Sequence, residues 1–357
     1  MTNQDLPLSS HPVARILVIK FRHHGDMLLT TPVIRSLKAA WPDATVDVLL
    51  YEETRAMLTH HPDIHQVYAI DRTWKKQGIR FQVSQEWQLL KTLRKQRYDL
   101  VVNLADQWRS ALITRFTGAP VRLGFDFPKR QGALWRRCHS HLVPTETHNT
   151  LHTVEQNLSL LAPLKLPSTD TTVGMYYAES DRLKVREQIN GATKYIVVQP
   201  TSRWFFKCWS EEKMAAVIQS LQNDGHTIVL TSGPDKKELA MVSQIEGLLS
   251  SRQNVISLAG QLTLNQLAAL IDEAGLFIGV DSVPMHMAAA LQPPCIALFG
   301  PSKLVFWRPW QVNGEVIWAG DFAPLPDPDA VDTKTAERFL DAIPVETVLS
   351  AARKLLA

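Results

Sequence analysis

Three segments of this chain carry polar side chains directly after an apolar run, and each could bind or deprotonate a ligand. Asp26 follows RILVIKF, Thr201 follows YIVVQP, and Asp281 follows LFIGV. A short apolar run that is bounded by polar residues predicts a buried strand. Ligands of open parallel sheets bind beyond the carboxyl ends of the strands, so these three segments predict the functional site.

Asp26 is a candidate general base. It lies after Gly25 at the predicted start of a helix, where the positive end of the helix dipole favours an ionised carboxylate. Such a carboxylate could accept a proton from an attacking hydroxyl group. The alternative is that Asp26 only caps the helix, which is the commoner role of an aspartate in this position.

The loop TSRWFFK in the second half of the chain carries donors suited to a diphosphate. Thr201 and Ser202 offer hydroxyl groups, and Lys207 offers a cation. Charged donors of this kind bind phosphate oxygens at the ends of parallel strands. The alternative is a polar loop whose aromatic residues only pack in the core or at an interface.

Polar residues also follow two more of the strands predicted in the second half of the chain. Asp281, Ser282 and His286 lie where LFIGV meets a helix of small residues, and the start of that helix would present free N–H groups to an anion. His286 could equally be a packed side chain. Asp235, in TSGPDKKE, could cap a helix or accept hydrogen bonds from ribose hydroxyls.

Several classes of protein lack support in this sequence. No two glycines are separated by a single residue, and no G-K-[ST] or G-x-S-x-G motif occurs, which disfavours dinucleotide-binding, P-loop and serine-hydrolase sites. Cys138, Cys208 and Cys295 lie far apart, so neither a disulfide framework nor a zinc site is indicated. Asp327 and Asp329 form a D-x-D pair in a proline-rich loop, which we interpret as loop rather than metal site. We expect no metal.

The elements that must position these residues form two α/β series. Apolar strands alternate with helical stretches from Arg15 to about residue 125, and again from Lys194 to about residue 300, with roughly five strands in each series. A chain of 357 residues is long enough for two such domains. We therefore predict two Rossmann-like, doubly wound domains that face a cleft, with residues 1–180 in the first and residues 181–357 in the second. The C-terminal helices are candidates to pack back on the first domain.

Charge is distributed unevenly between the two halves. Residues 1–150 contain 21 Lys and Arg against 13 Asp and Glu, although the whole chain has a formal net charge of only +3. The cations cluster in Lys75–Arg80, Lys91–Arg97 and Lys129–Arg137, close to several tryptophans. This mixture suits phosphates, nucleic acid or a lipid headgroup surface, and solvated helix faces are the simplest alternative. The N-terminus lacks the layout of a signal peptide and no uncharged run could span a bilayer, so the cytoplasm is the expected location.

Taken together, the Asp26 loop, the segment Thr201–Trp209 and the segment Asp281–Ser302 resemble glycosyltransferase family 9, the heptosyltransferases of the lipopolysaccharide inner core. The order and approximate spacing of the three segments match the family over nearly the whole chain. Within it, VDSVPMHMAAAL has Ser282-Val283 where many members have Thr-Gly after the aspartate.

The resemblance implies a GT-B type, metal-independent inverting transferase. It would move L-glycero-D-manno-heptose from ADP-heptose to an inner-core heptose of lipopolysaccharide, as the third heptose and a branch on heptose II. The acceptor is attached to lipid A, so the enzyme would work peripherally at the cytoplasmic face of the inner membrane. A basic first half without a spanning segment agrees with this interpretation.

The resemblance also implies a role for each candidate residue. Asp26 would be the general base, Asp235 would hold the ribose, and Asp281 would bind donor-heptose hydroxyls. Diphosphate contacts would come from Thr201, Ser202, Lys207 and backbone amides near Ser282, and His286 would approach the phosphates or the donor sugar. From charge alone, the acceptor phosphates would meet some of Lys129, Arg130, Arg136 and Arg137.

Three alternatives remain open at this point. The chain could be another family 9 transferase that adds the first, the second or a later core heptose. It could be a two-domain nucleotide-sugar epimerase or hydrolase, although the only further acid/base candidates near Asp26 are His23 and His24. It could also be a non-catalytic binder of anionic lipid or nucleic acid, but nucleic acid is disfavoured because no recognition motif accompanies the charge.

Overall fold

The computed structural model describes residues 13–357 and divides into two compact α/β units. The first unit extends to Gly174 and the second begins at Met175. This boundary precedes the predicted one at residue 180, which falls inside the helix Glu179–Gln188. Each unit contains one six-stranded sheet in which all strands are parallel.

The sheet of the first unit has the order β3-β2-β1-β4-β5-β6. Its strands are β1 Arg15–Ile19, β2 Thr45–Tyr51, β3 Gln66–Ile70, β4 Leu100–Asn103, β5 Val121–Asp126 and β6 His141–Pro144. Its helices are α1 His24–Leu28, α2 Thr31–Ala40, α3 Ile79–Lys95, α4 Trp108–Phe116, α5 Ala133–Cys138 and α6 Thr153–Ser159. The chain order reverses between β1 and β4, where Ile16 is in register with Leu100. Loops that follow these two strands therefore meet at one edge of the sheet.

The helix predicted to start near Asp26 is interrupted at Pro32, so the structure has two helices, α1 and α2, in its place. Pro32 has no N–H group to donate to the carbonyl of Leu28. The hydroxyl of Thr31 donates to that carbonyl instead, at 2.8 Å. The short helix α1, which carries Asp26, is thereby separated from α2.

The second unit repeats the architecture, with the sheet order β12-β11-β10-β7-β8-β9. Its strands are β7 Ile196–Gln199, β8 Ile228–Leu230, β9 Val255–Ser257, β10 Leu276–Val280, β11 Cys295–Phe299 and β12 Gly314–Trp318. Its helices are α7 Glu179–Gln188, α8 Glu211–Asn223, α9 Lys236–Leu248, α10 Leu264–Asp272, α11 Val283–Leu291, α12 Leu304–Trp307 and α13 Val345–Leu356. The chain order reverses between β7 and β10.

The predicted fold class, two Rossmann-like doubly wound α/β domains, is confirmed, with one more strand in each sheet than the five expected. Both added strands, β6 and β12, lie at a sheet edge. β6 is the four-residue segment HLVP and has only one buried residue, so it lacks the apolar run that marks an inner strand. β12 begins at Gly314 and is similarly exposed at its start.

Each unit has its own apolar core on the faces of its sheet. In the first unit, Leu17, Ile19 and Val101 pack with Leu93 of α3, and in the second unit the core includes the fully buried Trp209. The last helix, α13, packs against α8 and against strands β10 to β12 of the second unit. Within residues 13–357, no helix combines the length and apolar character needed to cross a bilayer.

Candidate functional site

An ion pair between Lys207 and Asp281 lies at the carboxyl edge of the second sheet. The Lys207 Nζ is 2.6 Å from the Asp281 Oδ2, and the two side chains are only 15% and 6% exposed. Asp281 follows β10 directly, while Lys207 ends the loop after β7. A buried pair of this kind is stable only when both charges have partners.

Two serines complete the surroundings of Asp281. The Ser302 hydroxyl donates to the same Oδ2 at 2.5 Å, and the Ser202 hydroxyl donates to the main-chain carbonyl of Asp281 at 3.2 Å. These residues follow β7, β10 and β11, three adjacent strands of the sheet. The site thus lies where the chain order reverses, which is the usual ligand position in such sheets.

Thr201 is engaged with a residue that the sequence did not single out. Its hydroxyl donates to the Glu238 carboxylate at 2.6 Å, and the backbone N–H of Gly233 donates to the same oxygen at 3.0 Å. Glu238 thereby connects the loop after β7 to the loop after β8. Asp235, in contrast, is exposed and caps α9 by accepting from the Lys237 N–H at 2.9 Å.

Ser282 and His286 lie on the α11 side of this site. The Ser282 hydroxyl donates back to the Val280 carbonyl at 3.1 Å, so it does not cap the first turn of α11. His286 is buried, and its ring meets the edge of Trp307 at 6.5 Å between centroids. The donor-side candidates other than Asp235 therefore gather around the ends of β7 and β10 or on the helix that follows.

Asp26 lies in the first turn of α1, after β1 of the first sheet, and is partly buried. The neighbouring Lys20 is buried, and its Nζ is 3.1 Å from the Asn157 amide oxygen and 3.4 Å from the Leu104 carbonyl. Burial lowers the pKa of Lys20 from its usual value, while the negative charges of Asp26 and Asp106 partly counter that change. The sequence prediction missed Lys20 because it lies inside an apolar strand segment.

A group of cations surrounds Asp106, which follows β4. The Lys129 Nζ is 3.1 Å from an Asp106 carboxylate oxygen, Arg22 is 3.9 Å away, and the Arg130 Nε donates to the Asp106 carbonyl at 2.7 Å. Partial burial acts to raise the pKa of Asp106, but the hydrogen bond from Lys129 and the nearby arginines lower it overall. The predicted acceptor residues Lys129 and Arg130 therefore lie at the strand ends.

The other two predicted acceptor residues are placed differently. Arg136 and Arg137 are exposed on α5, whereas the neighbouring Trp135 is buried and anchors this helix. The Trp135 indole donates to the Phe125 carbonyl at 3.0 Å. Among residues 13–357, no group of three or more His, Cys, Asp or Glu side chains could hold a metal ion.

These features describe an α/β protein with a Lys207–Asp281 ion pair at the carboxyl edge of its second sheet, and comparison with known proteins supplies its family. Residues 86–336 match the profile of glycosyltransferase family 9 (heptosyltransferase). The chain is also 44% identical over 338 residues to lipopolysaccharide heptosyltransferase 3 of Escherichia coli, which covers 94% of this chain and 97% of that protein. The chain therefore belongs to glycosyltransferase family 9 and is a heptosyltransferase.

Solved structures show the same fold. A family 9 glycosyltransferase from Veillonella parvula aligns with a TM-score of 0.83 at 22% identity, covering 99% of both chains. The ADP-heptose LPS heptosyltransferase II of E. coli aligns with a TM-score of 0.77 at 24% identity, covering 96% of this chain and 98% of that one. In both cases the similarity is one of fold, and that fold is of the GT-B type.

Proposed function

We propose that this heptosyltransferase moves heptose from ADP-heptose to an inner-core heptose of lipopolysaccharide, adding the third heptose as a branch on heptose II. The observation that carries this proposal is the 44% identity to lipopolysaccharide heptosyltransferase 3 over nearly the whole chain. The Lys207–Asp281 pair at the reversal point of the second sheet supplies a matching chemistry, because it offers a cation to a diphosphate and a carboxylate to sugar hydroxyls.

In the proposed donor complex, Lys207 and the hydroxyls of Thr201 and Ser202 contact the diphosphate of ADP-heptose. Backbone N–H groups near Ser282 add to them because the Ser282 side chain leaves the start of α11 uncapped. Asp281 accepts hydrogen bonds from the donor heptose, and His286 approaches the phosphates or the sugar. Asp235 accepts hydrogen bonds from the ribose.

The proposed reaction is a single displacement with inversion. Asp26 removes the proton from the acceptor hydroxyl as the hydroxyl oxygen bonds to the anomeric carbon. The bond between that carbon and the diphosphate oxygen breaks on the opposite face, so ADP leaves with the electron pair. Lys207 then offsets the charge that develops on the leaving group, a task that metal ions perform in other enzymes.

The acceptor is proposed to bind the first unit through its phosphates. Lys129 and Arg130 lie beside Asp106 at the strand ends, and the exposed Arg136 and Arg137 extend the positive charge along α5. Because this acceptor is attached to lipid A, we propose that the enzyme works peripherally at the cytoplasmic face of the inner membrane.

The test is transfer from ADP-heptose to lipopolysaccharide precursors truncated at successive inner-core positions. Mass spectrometry of the lipid and release of ADP are followed with and without EDTA. We expect a gain of one heptose only on the core that already carries two heptoses, with the same rate in EDTA. Transfer to a shorter core would assign the chain to another step, and loss of activity in EDTA would contradict the metal-independent mechanism. ADP release without lipid product would indicate a hydrolase.

A further inference from the structure

Helix α3 of the first unit is mostly exposed, although it carries many apolar residues. Its inner side packs on the core through Leu89, Leu90 and Leu93, of which only Leu93 is fully buried. Its outer side presents Arg80, Val83, Trp87, Lys91 and Arg94. These five residues recur at spacings of three or four, so they form one stripe along the helix. In this stripe, the apolar Val83 and Trp87 lie between Arg80 on one side and Lys91 and Arg94 on the other.

The stripe continues onto α4. The Trp87 and Phe116 rings are 5.7 Å apart between centroids, and Arg94 donates to the Phe116 carbonyl at 2.9 Å. Beside Phe116, Leu112 and Arg115 point to solvent. Val83 is 60% exposed, Trp87 48% and Leu112 51%, which is unusual for a cluster of large apolar side chains. We call this joined face of the two helices the α3–α4 surface.

A groove of about 560 Å³ lies between the two helices on this surface. Apolar side chains form most of its walls, including Leu90, Leu112, Ile113 and Phe116. The acidic group in the groove, Glu86, is 3.0 Å from Arg109, so its charge is countered locally. The α3–α4 surface therefore combines an apolar groove with an excess of positive charge, because the exposed Arg80, Lys91, Arg94 and Arg115 outnumber Glu86.

We propose that the α3–α4 surface docks the enzyme on an anionic lipid bilayer, with Trp87 and Leu112 at the level of the headgroups and acyl chains. Basic residues next to exposed Trp and Leu are typical of interfacial helices, because the apolar groups enter the bilayer while the cations meet lipid phosphates. A nucleic acid would use the charge but not the apolar groove. This proposal rests on the proposed function for its biological reason, since the acceptor is a lipid.

The experiment measures binding of the full chain to vesicles of phosphatidylcholine, either alone or mixed with phosphatidylglycerol. The variant is Lys91→Glu with Leu112→Ser. The matched control is Lys184→Glu with Leu183→Ser on α7 of the second unit, where Leu183 is 57% exposed. We expect the wild type and the control to bind the anionic vesicles similarly, and the α3–α4 variant to bind at least about tenfold more weakly. Equal binding of variant and control would overturn the proposal.

A second measurement identifies the surface that meets the lipid. Trp87→Cys carries an environment-sensitive dye, because the three native cysteines are all buried, and Leu183→Cys is the labelled control. We expect the dye emission at position 87 to shift to the blue on anionic vesicles and that at position 183 to stay constant. Vesicle binding without a shift at position 87 would overturn the proposal, as would a wild-type dimer that Leu112→Ser dissociates.

Turnover on a soluble acceptor and on a membrane-embedded acceptor distinguishes a loss of lipid docking from a loss of heptose transfer. On a deacylated, water-soluble core acceptor, the Lys91→Glu/Leu112→Ser variant should turn over like the wild type. On an acceptor embedded in anionic vesicles, it should be slower. A wild type that binds vesicles but transfers no heptose to either acceptor would contradict the proposed function alone. A variant that is equally slowed on both acceptors would contradict the docking role.

Discussion

The two sheets share one strand order, yet the lysine at the reversal point has different partners in each. In the first unit, the buried Lys20 contacts two neutral oxygens, from Asn157 and Leu104. In the second unit, the partly buried Lys207 contacts the carboxylate of Asp281 directly. Topology therefore determines where a charged side chain lies but not how its charge is balanced.

The difference suits the two proposed roles. A phosphate that binds Lys207 competes with Asp281 for the ammonium group, so donor binding would free the carboxylate for sugar hydroxyls. Lys20 has two neutral partners rather than a carboxylate that a ligand could displace. Its ammonium group interacts electrostatically with the carboxylates of Asp26 and Asp106. The negative charges of both carboxylates act to keep Lys20 protonated and so offset part of the effect of its burial on its pKa.

The largest effect is expected for Asp26→Asn, which separates the chemistry of the first unit from donor binding in the second. It should lower kcat by about a hundredfold or more, because a positioned general base is lost, and leave ADP affinity within a few-fold. Turnover on a defined acceptor and calorimetry with ADP provide the two readouts. Asp43→Asn, an exposed site of the same unit, is the control. Near-wild-type turnover would remove Asp26 from the mechanism.

Lys207→Ala should affect ADP binding, which Asp26→Asn leaves nearly unchanged. ADP binding should weaken by about tenfold to a hundredfold, roughly 1.5–3 kcal/mol, because a charge-assisted hydrogen bond to the diphosphate is lost. Calorimetry measures this change, with the exposed Lys236→Ala as control. Unchanged ADP affinity would mean that Lys207 serves only to neutralise Asp281.

A smaller effect is expected at the ribose. Asp235→Asn can still cap α9, so the fold should persist, but one hydrogen bond to a ribose hydroxyl weakens and ADP affinity falls by about three- to tenfold. Binding of pyrophosphate, which has no ribose, should not change. If Glu238→Gln produced this pattern and Asp235→Asn did not, the ribose contact would belong to Glu238.

The smallest effect concerns stability and pH. The pKa of Lys20 is lowered in the folded protein, so the unfolded chain binds more protons than the folded one between that lowered value and the usual 10.5. Stability attributable to Lys20 therefore rises with pH across this window. The Tm of Lys20→Met minus the Tm of the wild type should decrease as pH is raised from neutral towards 10.5. An increase in this difference would contradict the burial of a charged Lys20.

The sequence predicted the inner strands and the residues that follow them, because apolar runs and strand-end loops are local features. It did not predict Glu238 or Ser302 as site residues, since each depends on a partner distant in sequence. Ser302 reaches Asp281 across 21 residues, and Lys20 reaches Asn157 across 137 residues. Asn157 lies in α6, beyond the strand series from Arg15 to about residue 125 on which the prediction of the first domain rests. Periodicity identifies elements, but it does not identify contacts between them.

The pairing of β1 with β4 and of β7 with β10 has a consequence for synthesis on the ribosome. Each central pair joins segments about eighty residues apart, as in the registers of Ile16 with Leu100 and Ile196 with Leu276. Neither sheet can assemble its centre until both partners have emerged, which makes folding of each half slow for its size. Among the strands of residues 13–357, none is shared between the two sheets. The N-terminal half can therefore complete its sheet while the C-terminal half is still being translated.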